Sequence, residues 1–395
     1  MSFAIALSGI NAINSELNTI SNNIANAGTY GFKSSRTNFA AMVAGTQPTG
    51  AEAASMTQSI ETGGGVVNTG RAMDAAIQGR GFFVTRDSSG EMLYTRVGIF
   101  NADKDGYVVD SFNRRVQGYA ATEAGAAAGA MGDLRVPMGQ VAAKPSDELK
   151  YVGNLSAGWT TPTVATFDRT DPLSFNSSMV SVVHDSLGVQ HSVTQYFVKS
   201  ATNQVTVHYT FDGAGLAQTT TLDFGSDGQL TAPLGPLALA LGTPAGANAL
   251  SVALDYTGTT QFAGESTTTV NSSNGHASGT LIGLQLDDTG SVVAQYSNGE
   301  KQSVGTLALA TFANENALVP VSETSWSTSV GSGTPLFFTP GSGMAGTLSV
   351  GALEQSNVDM TGQLVSLMSA QRNYQANTKV ISTQNEMMQS LMQAV

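Results

Sequence analysis

Apolar residues at the start of the chain fall at alternating intervals of three and four: Phe3, Ala6, Ile10, Ile13, Leu17, Ile20 and Ile24. That spacing places them on one stripe of an α-helix, the seam of a coiled coil. The pattern stops at Asn26, Ala27 and Gly28, residues that tolerate a left-handed C-cap, so the expected helix has about 24 residues and spans about 36 Å. A second helical pattern closes the chain from about Met360 to Val395. There Leu367, Tyr374, Ile381, Met388 and Val395 form one column at seven-residue spacing, with Ser356 and Asp359 as candidate N-caps. The companion column, Leu364, Gln371, Thr378, Asn385 and Met392, is polar in its middle. The first seam therefore predicts the firmer packing, and the second more adjustable, hydrogen-bonded contacts.

Between the two helices the period changes. Short alternating runs such as Phe82 to Thr85, Val193 to Val198, Val205 to Phe211 and Thr306 to Phe312 predict strands. Turn residues at Asp87 to Gly90, Asp103 to Gly106, Asp212 to Gly215, Asp227 with Gly228, Asp287 to Gly290 and Asn298 with Gly299 predict hairpins at short spacing, as in sandwiches or barrels. The Ala/Gly-rich stretch from Ala120 to Gly132, with the Pro145 region, predicts a first domain boundary, and Ser266 to Ser278 a second. Gly63-Gly64-Gly65 reads as a flexible joint.

Composition narrows the function. A net charge of −12 repels phosphate backbones and anionic lipid, so nucleic-acid binding is not expected. Charged residues make up 12% of the chain, about half the usual share. Glu16 is the only charge before Lys33, and only Arg372, Lys379 and Glu386 follow Asp359, so neither helix has the charged face of a solvated amphipathic helix. One reading is a helix pair packed on a β core; the other adds contacts with neighbouring subunits, which the uncharged outer faces favour. The absence of cysteine excludes disulfides, thiolate zinc sites and a cysteine nucleophile. Met1 to Ile24 has no basic n-region, which argues against a cleavable signal peptide, and no run reaches the roughly 18 apolar residues of a membrane span.

The chemistry-bearing patterns have bland readings. Asn101, Asp103, Asp105 and Gly106 imitate the opening of a calcium loop, but Phe112 stands where the closing Glu belongs, and a hairpin turn is expected. His184-Asp185-Ser186-Leu187 has His where a nucleophile turn needs a small residue, and it too reads as a turn. His184, His191, His208 and His276 lack metal-site spacing; His184 and His191 would meet across a hairpin but need further ligands. There is no phosphate loop, and no catalytic residue, cofactor or metal is expected.

The run Ser21-Asn22-Asn23-Ile24-Ala25-Asn26-Ala27-Gly28-Thr29-Tyr30-Gly31-Phe32-Lys33, preceded by Ser8-Gly9, resembles the amino-terminal signature of flagellar rod and hook proteins. Leu353 to Asp359 and Ala370 to Asn377 resemble the family's carboxy-terminal signature. Gly81-Phe82-Phe83, Tyr94 to Phe100 and Val116 to Tyr119 are similar to the β domain that rod and hook proteins share, with Asn113 where the family commonly has Gly. Asp185 to Gly188, His191 and Tyr196 to Lys199 resemble the outer domain of hook proteins, which distal rod proteins lack. The likeness thins between about Phe211 and Gly279.

This resemblance implies a mainly β, multidomain chain with long N- and C-terminal α-helices forming a coiled-coil-like pair and an inserted outer β domain. Its order would be an inner helix over 1–30, a connecting segment over 31–70 that orders on assembly, a middle β domain over 71–145 and 285–358, an outer β domain over 146–284 and an inner helix over 359–395. The candidate assembly contacts are Phe3, Ile10, Ile13, Leu17, Ile20 and Ile24 with Leu364, Leu367, Tyr374, Ile381 and Met388. The implied partners are further copies of the chain in a helical tube, the rod, hook-cap and hook–filament junction proteins, and the flagellar export apparatus. A rod or hook-associated protein is the alternative within the family. A secreted β-rich adhesin or enzyme is the alternative outside it.

Overall fold

The computed structural model describes residues 2–45, 47–121 and 127–394, so Val395, placed above in the second seam, lies outside the described residues, as do residues 122–126 of the Ala/Gly-rich stretch. The described residues form a mainly β chain with one long helix at each end, α1 (Ser2–Ala25) and α2 (Met360–Ala394). The chain divides into two compact units. One comprises residues 1–138, 283–294 and 301–395; the other comprises 139–282 and 295–300.

In the first unit the strand Phe82–Arg86 is central, paired with Met92–Thr95, Arg115–Ala121 and Leu309–Thr311. Its apolar side supplies Phe82 and Val84 to a core with Ile60, Tyr94, Phe312, Leu318 and Trp326. Phe82 meets Phe312 and Trp326 edge-on at 5.9 and 5.5 Å between ring centroids. Two short sheets tie the early chain to the late chain: Val66–Asn68 pairs with Ala352–Glu354, and Ala75–Gln78 with Thr347–Val350.

The second unit packs two sheets around one core. One sheet runs in order Ser177–His184, Gln190–Ala201, Gln204–Phe211, Ala214–Phe224 and Leu230–Ala232. The other runs in order Leu237–Gly242, Leu250–Asp255, Glu148–Asn154 and Thr267–Ser273. Alternate residues of both, among them Val193, Val205, Val207, Leu239, Val252 and Leu254, are buried against one another. The boundary expected over Ser266 to Ser278 is instead largely a strand of this unit, because its Thr and Ser residues suit a pleated surface and pair antiparallel with Glu148–Asn154. Within the stretch expected as the first boundary, Ala127–Asp133 pairs with Arg115–Ala121 and belongs to the first unit.

One turn construction recurs. At Asp87–Gly90, Asp103–Gly106, Asp185–Gly188 and Asp287–Gly290 the Asp Oδ1 accepts backbone N–H groups two and four residues on, and the fourth residue has φ between 79 and 91°. The calcium-like and hydrolase-like sequences are both such turns. Asp110–Asn113 repeats the construction with Asn113 at φ 64°, so the residue that departs from the family's Gly keeps the left-handed conformation.

Candidate assembly interface

The helices α1 and α2 pack antiparallel. Asn23 Nδ2 donates to Gln363 Oε1 at 3.1 Å, and fourteen residues earlier in α1 a Cβ on Gly9 would meet Asn377 Oδ1 at 3.1 Å. Between these points Ile13, Ile20 and Ala370 are buried, with Leu17, Ile24, Leu367 and Tyr374 packed around them. Ile10 and Ile381 are half-buried. The seam expected on α1 is thus largely occupied from within the chain, except at Phe3, which is 42% exposed.

On α2 the partner column differs from the expected one. Gln363, Ala370, Asn377 and Gln384 are buried or half-buried beside Leu367, Tyr374 and Ile381, whereas Leu364 and Met388 are exposed. Helical geometry gives the reason: a residue one position earlier turns about 100° and faces α1, where the small Ala370 is buried with Ile13 and Ile20. Leu364 and Met388 are left on the outside with Val365, Met368, Val380, Met387, Leu391 and Met392. Asp359, and not Ser356, caps α2, its Oδ1 accepting the Thr361 N–H at 3.1 Å. The left-handed cap expected at Asn26 to Gly28 is absent. The last turn of α1 tightens instead, with Asn26 N–H shared between the Asn22 and Asn23 carbonyls, and positive φ arrives at Gly31.

The segment after α1, expected to order only on assembly, forms an antiparallel hairpin of β1 (Ser35–Ala44) and β2 (Gln47–Gln58) within the single chain. It lies on α1, with Thr19 and Thr37 hydroxyls 2.8 Å apart and the Ala51 N–H donating to Ser8 Oγ at 3.2 Å. Its small side chains allow this approach; a Cβ on Gly50 would fall 1.9 Å from Ser8 Oγ. A shallow groove of about 400 Å³ opens between Gly9, Ala12 and Glu16 of α1, Phe39 of β1, and Ala376 and Asn377 of α2. Partial burial raises the Glu16 carboxyl pKa.

The residues of the two terminal signatures meet at the root of the helix pair. Lys33 Nζ lies 2.6 Å from Glu354 Oε1 and donates to the Thr62 carbonyl at 2.7 Å. Arg96 Nη1 approaches Glu354 Oε2 at 3.4 Å, and its guanidinium stands over the Phe82 ring. All three side chains are essentially buried. Burial lowers the Lys33 ammonium pKa against the pull of Glu354, and it lowers that of Arg96 likewise. Asn23 Oδ1 and Nδ2 bond both backbone groups of Ser35, at 2.9 and 2.7 Å. Asn357 accepts from Ser34 N–H and donates to the Ser59 and Thr62 carbonyls. Gly64 is no free joint: its N–H donates to Glu354 Oε1, and a Cβ there would sit 1.8 Å from the Gln355 carbonyl oxygen. Sequence reasoning missed this cluster. The one available signal was the position of Lys33 as the first basic residue, inside a signature.

In the second unit His191 does not pair with His184. Its Nδ1 lies 2.6 Å from Asp212 Oδ2 and its Nε2 3.3 Å from Asp185 Oδ2. Burial alone would lower its pKa, but hydrogen bonds to Asp212 and Asp185 hold it above the usual value. Among the described residues no group of His, Asp or Glu is arranged to hold a metal ion, and no helix is long and apolar enough to cross a membrane.

Terminal helices rooted in one buried cluster, with an inserted β unit between them, define an axial protein of the flagellar rod and hook class. Four family descriptions match in chain order. They are "Flagella basal body rod protein" over 3–33, "Flagellar hook protein FlgE/F/G D1 domain" over 76–144, "Flagellar basal body protein FlaE D2 domain" over 154–276 and "Flagellar basal body rod FlgEFG protein C-terminal" over 349–394. The chain is 37% identical over 402 residues to the flagellar hook protein FlgE of Escherichia coli, covering 99% of each, and 32% identical over 393 residues to that of Brucella suis, covering 98% and 96%. The crystal structure of the Helicobacter pylori hook protein FlgE2 shares the fold at TM-score 0.52 and 12% identity, over 71% of this chain and 98% of that one. The chain belongs to the flagellar hook protein FlgE family.

Proposed function

We propose that the chain is the structural subunit of a flagellar hook, polymerising into a flexible helical tube that transmits motor torque to the filament, and that it works by assembly and not by catalysis. The observation that carries this reading is the outer surface of the terminal helices. Ile5, Leu7, Leu364, Val365, Met368 and Val380 are all more than a third exposed, on helices with only four charged residues between them. An apolar surface of that kind is covered by a neighbour. A contact between unlike faces that does not close into a ring generates an open helix, so one subunit type suffices.

In this reading the helix pair lines the inner wall of the tube, and weak polar contacts between the inserted units of neighbouring copies slide during bending. The rod, hook-cap and hook–filament junction proteins would contact the ends of the tube, and the flagellar export apparatus would deliver the chain unfolded. Electron microscopy of the purified protein tests the reading. Curved tubes of constant diameter are expected; discrete trimers or monomers at all concentrations would overturn it. Tubes lacking residues 146–283 should form with altered flexibility, and unchanged flexibility would remove the proposed role of the outer unit.

A further inference from the structure

The antiparallel register that joins Asn23 to Gln363 and Gly9 to Asn377, carried on to Ser2, reaches Gln384. Burial agrees: Ile381 and Gln384 are half-buried, and from Asn385 to Gln393 every residue of α2 is exposed. The last three turns or so, about 15 Å of helix, thus run past the intramolecular seam. They hold Met387, Met388 and Met392, exposed by 59, 51 and 75%, beside Leu391 at 61%. Met42, Met56, Met138, Met344, Met360 and Met368 are exposed elsewhere, whereas Met73 is buried and Met92, Met131 and Met179 pack into the cores; among the described residues only the end of α2 gathers three exposed methionines within six residues.

We propose that Met387, Met388 and Met392 form an oxidation site that disables the end of α2 as an assembly surface, and that incorporation into the polymer shields it. The proposal rests on the assembly reading above, with a second copy of this chain as the occupant of the surface. The oxidant is a peroxide. The thioether sulfur attacks one oxygen of hydrogen peroxide, the S–O bond forms as the O–O bond breaks, and the departing hydroxide takes the proton from the sulfur-bound oxygen and leaves as water. Sulfur is oxidised by two electrons and the peroxide reduced by two. The product sulfoxide is polar and chiral where the contact needs a soft apolar side chain. In a free subunit all three residues are exposed, whereas a polymerised one presents them to a neighbour, so sensitivity falls on chains not yet incorporated.

The test treats the full chain with hydrogen peroxide before or after polymerisation, maps sulfoxides by peptide mass, and compares polymer yield at fixed concentration. Oxidation before assembly should lower the yield about tenfold or more, and methionine sulfoxide reductase should restore it. A chain with Met387→Leu, Met388→Leu and Met392→Leu, which keeps apolar volume, should assemble after peroxide treatment. Equal loss in that variant would place the effect at other methionines and overturn the proposal. So would unimpaired assembly of a chain sulfoxidised at all three positions, or equal oxidation of the three in free and polymerised protein. Failure of the untreated chain to polymerise would overturn the assembly reading instead.

Discussion

Lys33 and Glu354, 321 positions apart in sequence, form a buried ion pair at 2.6 Å, with Arg96 on the other carboxylate oxygen. Two cations thus share one anion inside the protein. Removing a partner from a buried pair costs more than the pair itself contributes, because the remaining charge is stranded.

The two ends of the pair should therefore respond unequally. Glu354→Gln strands both cations and should destabilise the first unit by about 3–5 kcal/mol. Lys33→Met leaves Glu354 with Arg96 and should cost less. Denaturant unfolding of both variants checks the order; a larger loss for Lys33→Met would contradict the arrangement.

Adjacent glycines should differ sharply. Alanine at Gly64 would place a Cβ on the Gln355 carbonyl, a backbone atom that cannot swing away, and should cost about 2 kcal/mol or more, whereas Gly63→Ala meets only the Glu354 carboxylate at 3.8 Å. Thermal melting of the two variants separates a close-packed strand crossing from a flexible joint.

Folding and assembly should be separable along the helices. Ile13→Asp puts a charge into the α1–α2 seam and should destabilise that pair by about 3 kcal/mol or more as well as stopping polymerisation. Leu391→Glu alters only exposed surface, so its unfolding free energy should stay within about 0.5 kcal/mol while polymer yield collapses. Equal polymer yield from Leu391→Glu and the parent chain would exclude that surface from the interface.

The second unit should show a pH-dependent local stability. Because the His191 pKa is raised in the fold, its protonated form stabilises fully below pH 6.5, and the effect is lost as pH rises through the folded value. Burial alone would raise the Asp185 and Asp212 pKa values, yet accepted hydrogen bonds hold both below the usual carboxylate value of 3.8, so their contribution is present above 3.8 and lost as pH falls. Asp185 accepts from the Val189 N–H and Asp212 from the Ser192 N–H. Hydrogen exchange at these two amides, corrected for intrinsic rates, should quicken above pH 6.5, and His191→Gln should remove that slope.

The seam of α1 was legible in the sequence because periodicity accumulates over seven positions from Phe3 to Ile24, and the strands and Asp-initiated turns because their signals are local. The facing column of α2 was not. Its half-buried members Gln363, Asn377 and Gln384 are polar and the buried Ala370 is small, so they give no apolar period, while the more hydrophobic Leu364 and Met392 are exposed. The Lys33–Arg96–Glu354 cluster was hidden for a different reason. Each member is one residue in a different segment, around positions 33, 96 and 354, so no local pattern links them. The Gly63-Gly64-Gly65 run misled because composition reports permissiveness, whereas the structure uses the missing Cβ for a backbone crossing.

The pairing of Val66–Asn68 with Ala352–Glu354, and of Ala75–Gln78 with Thr347–Val350, sets an order of events. The first ladder cannot be completed until residue 354 is available and the second until residue 350 is, and contacts so distant in sequence form late. A chain emerging amino end first holds Val66–Asn68 and Ala75–Gln78 unpaired, and Lys33 without Glu354, until nearly nine-tenths of its length has emerged. The arrival of Glu354 is the event that commits the subunit to its shape.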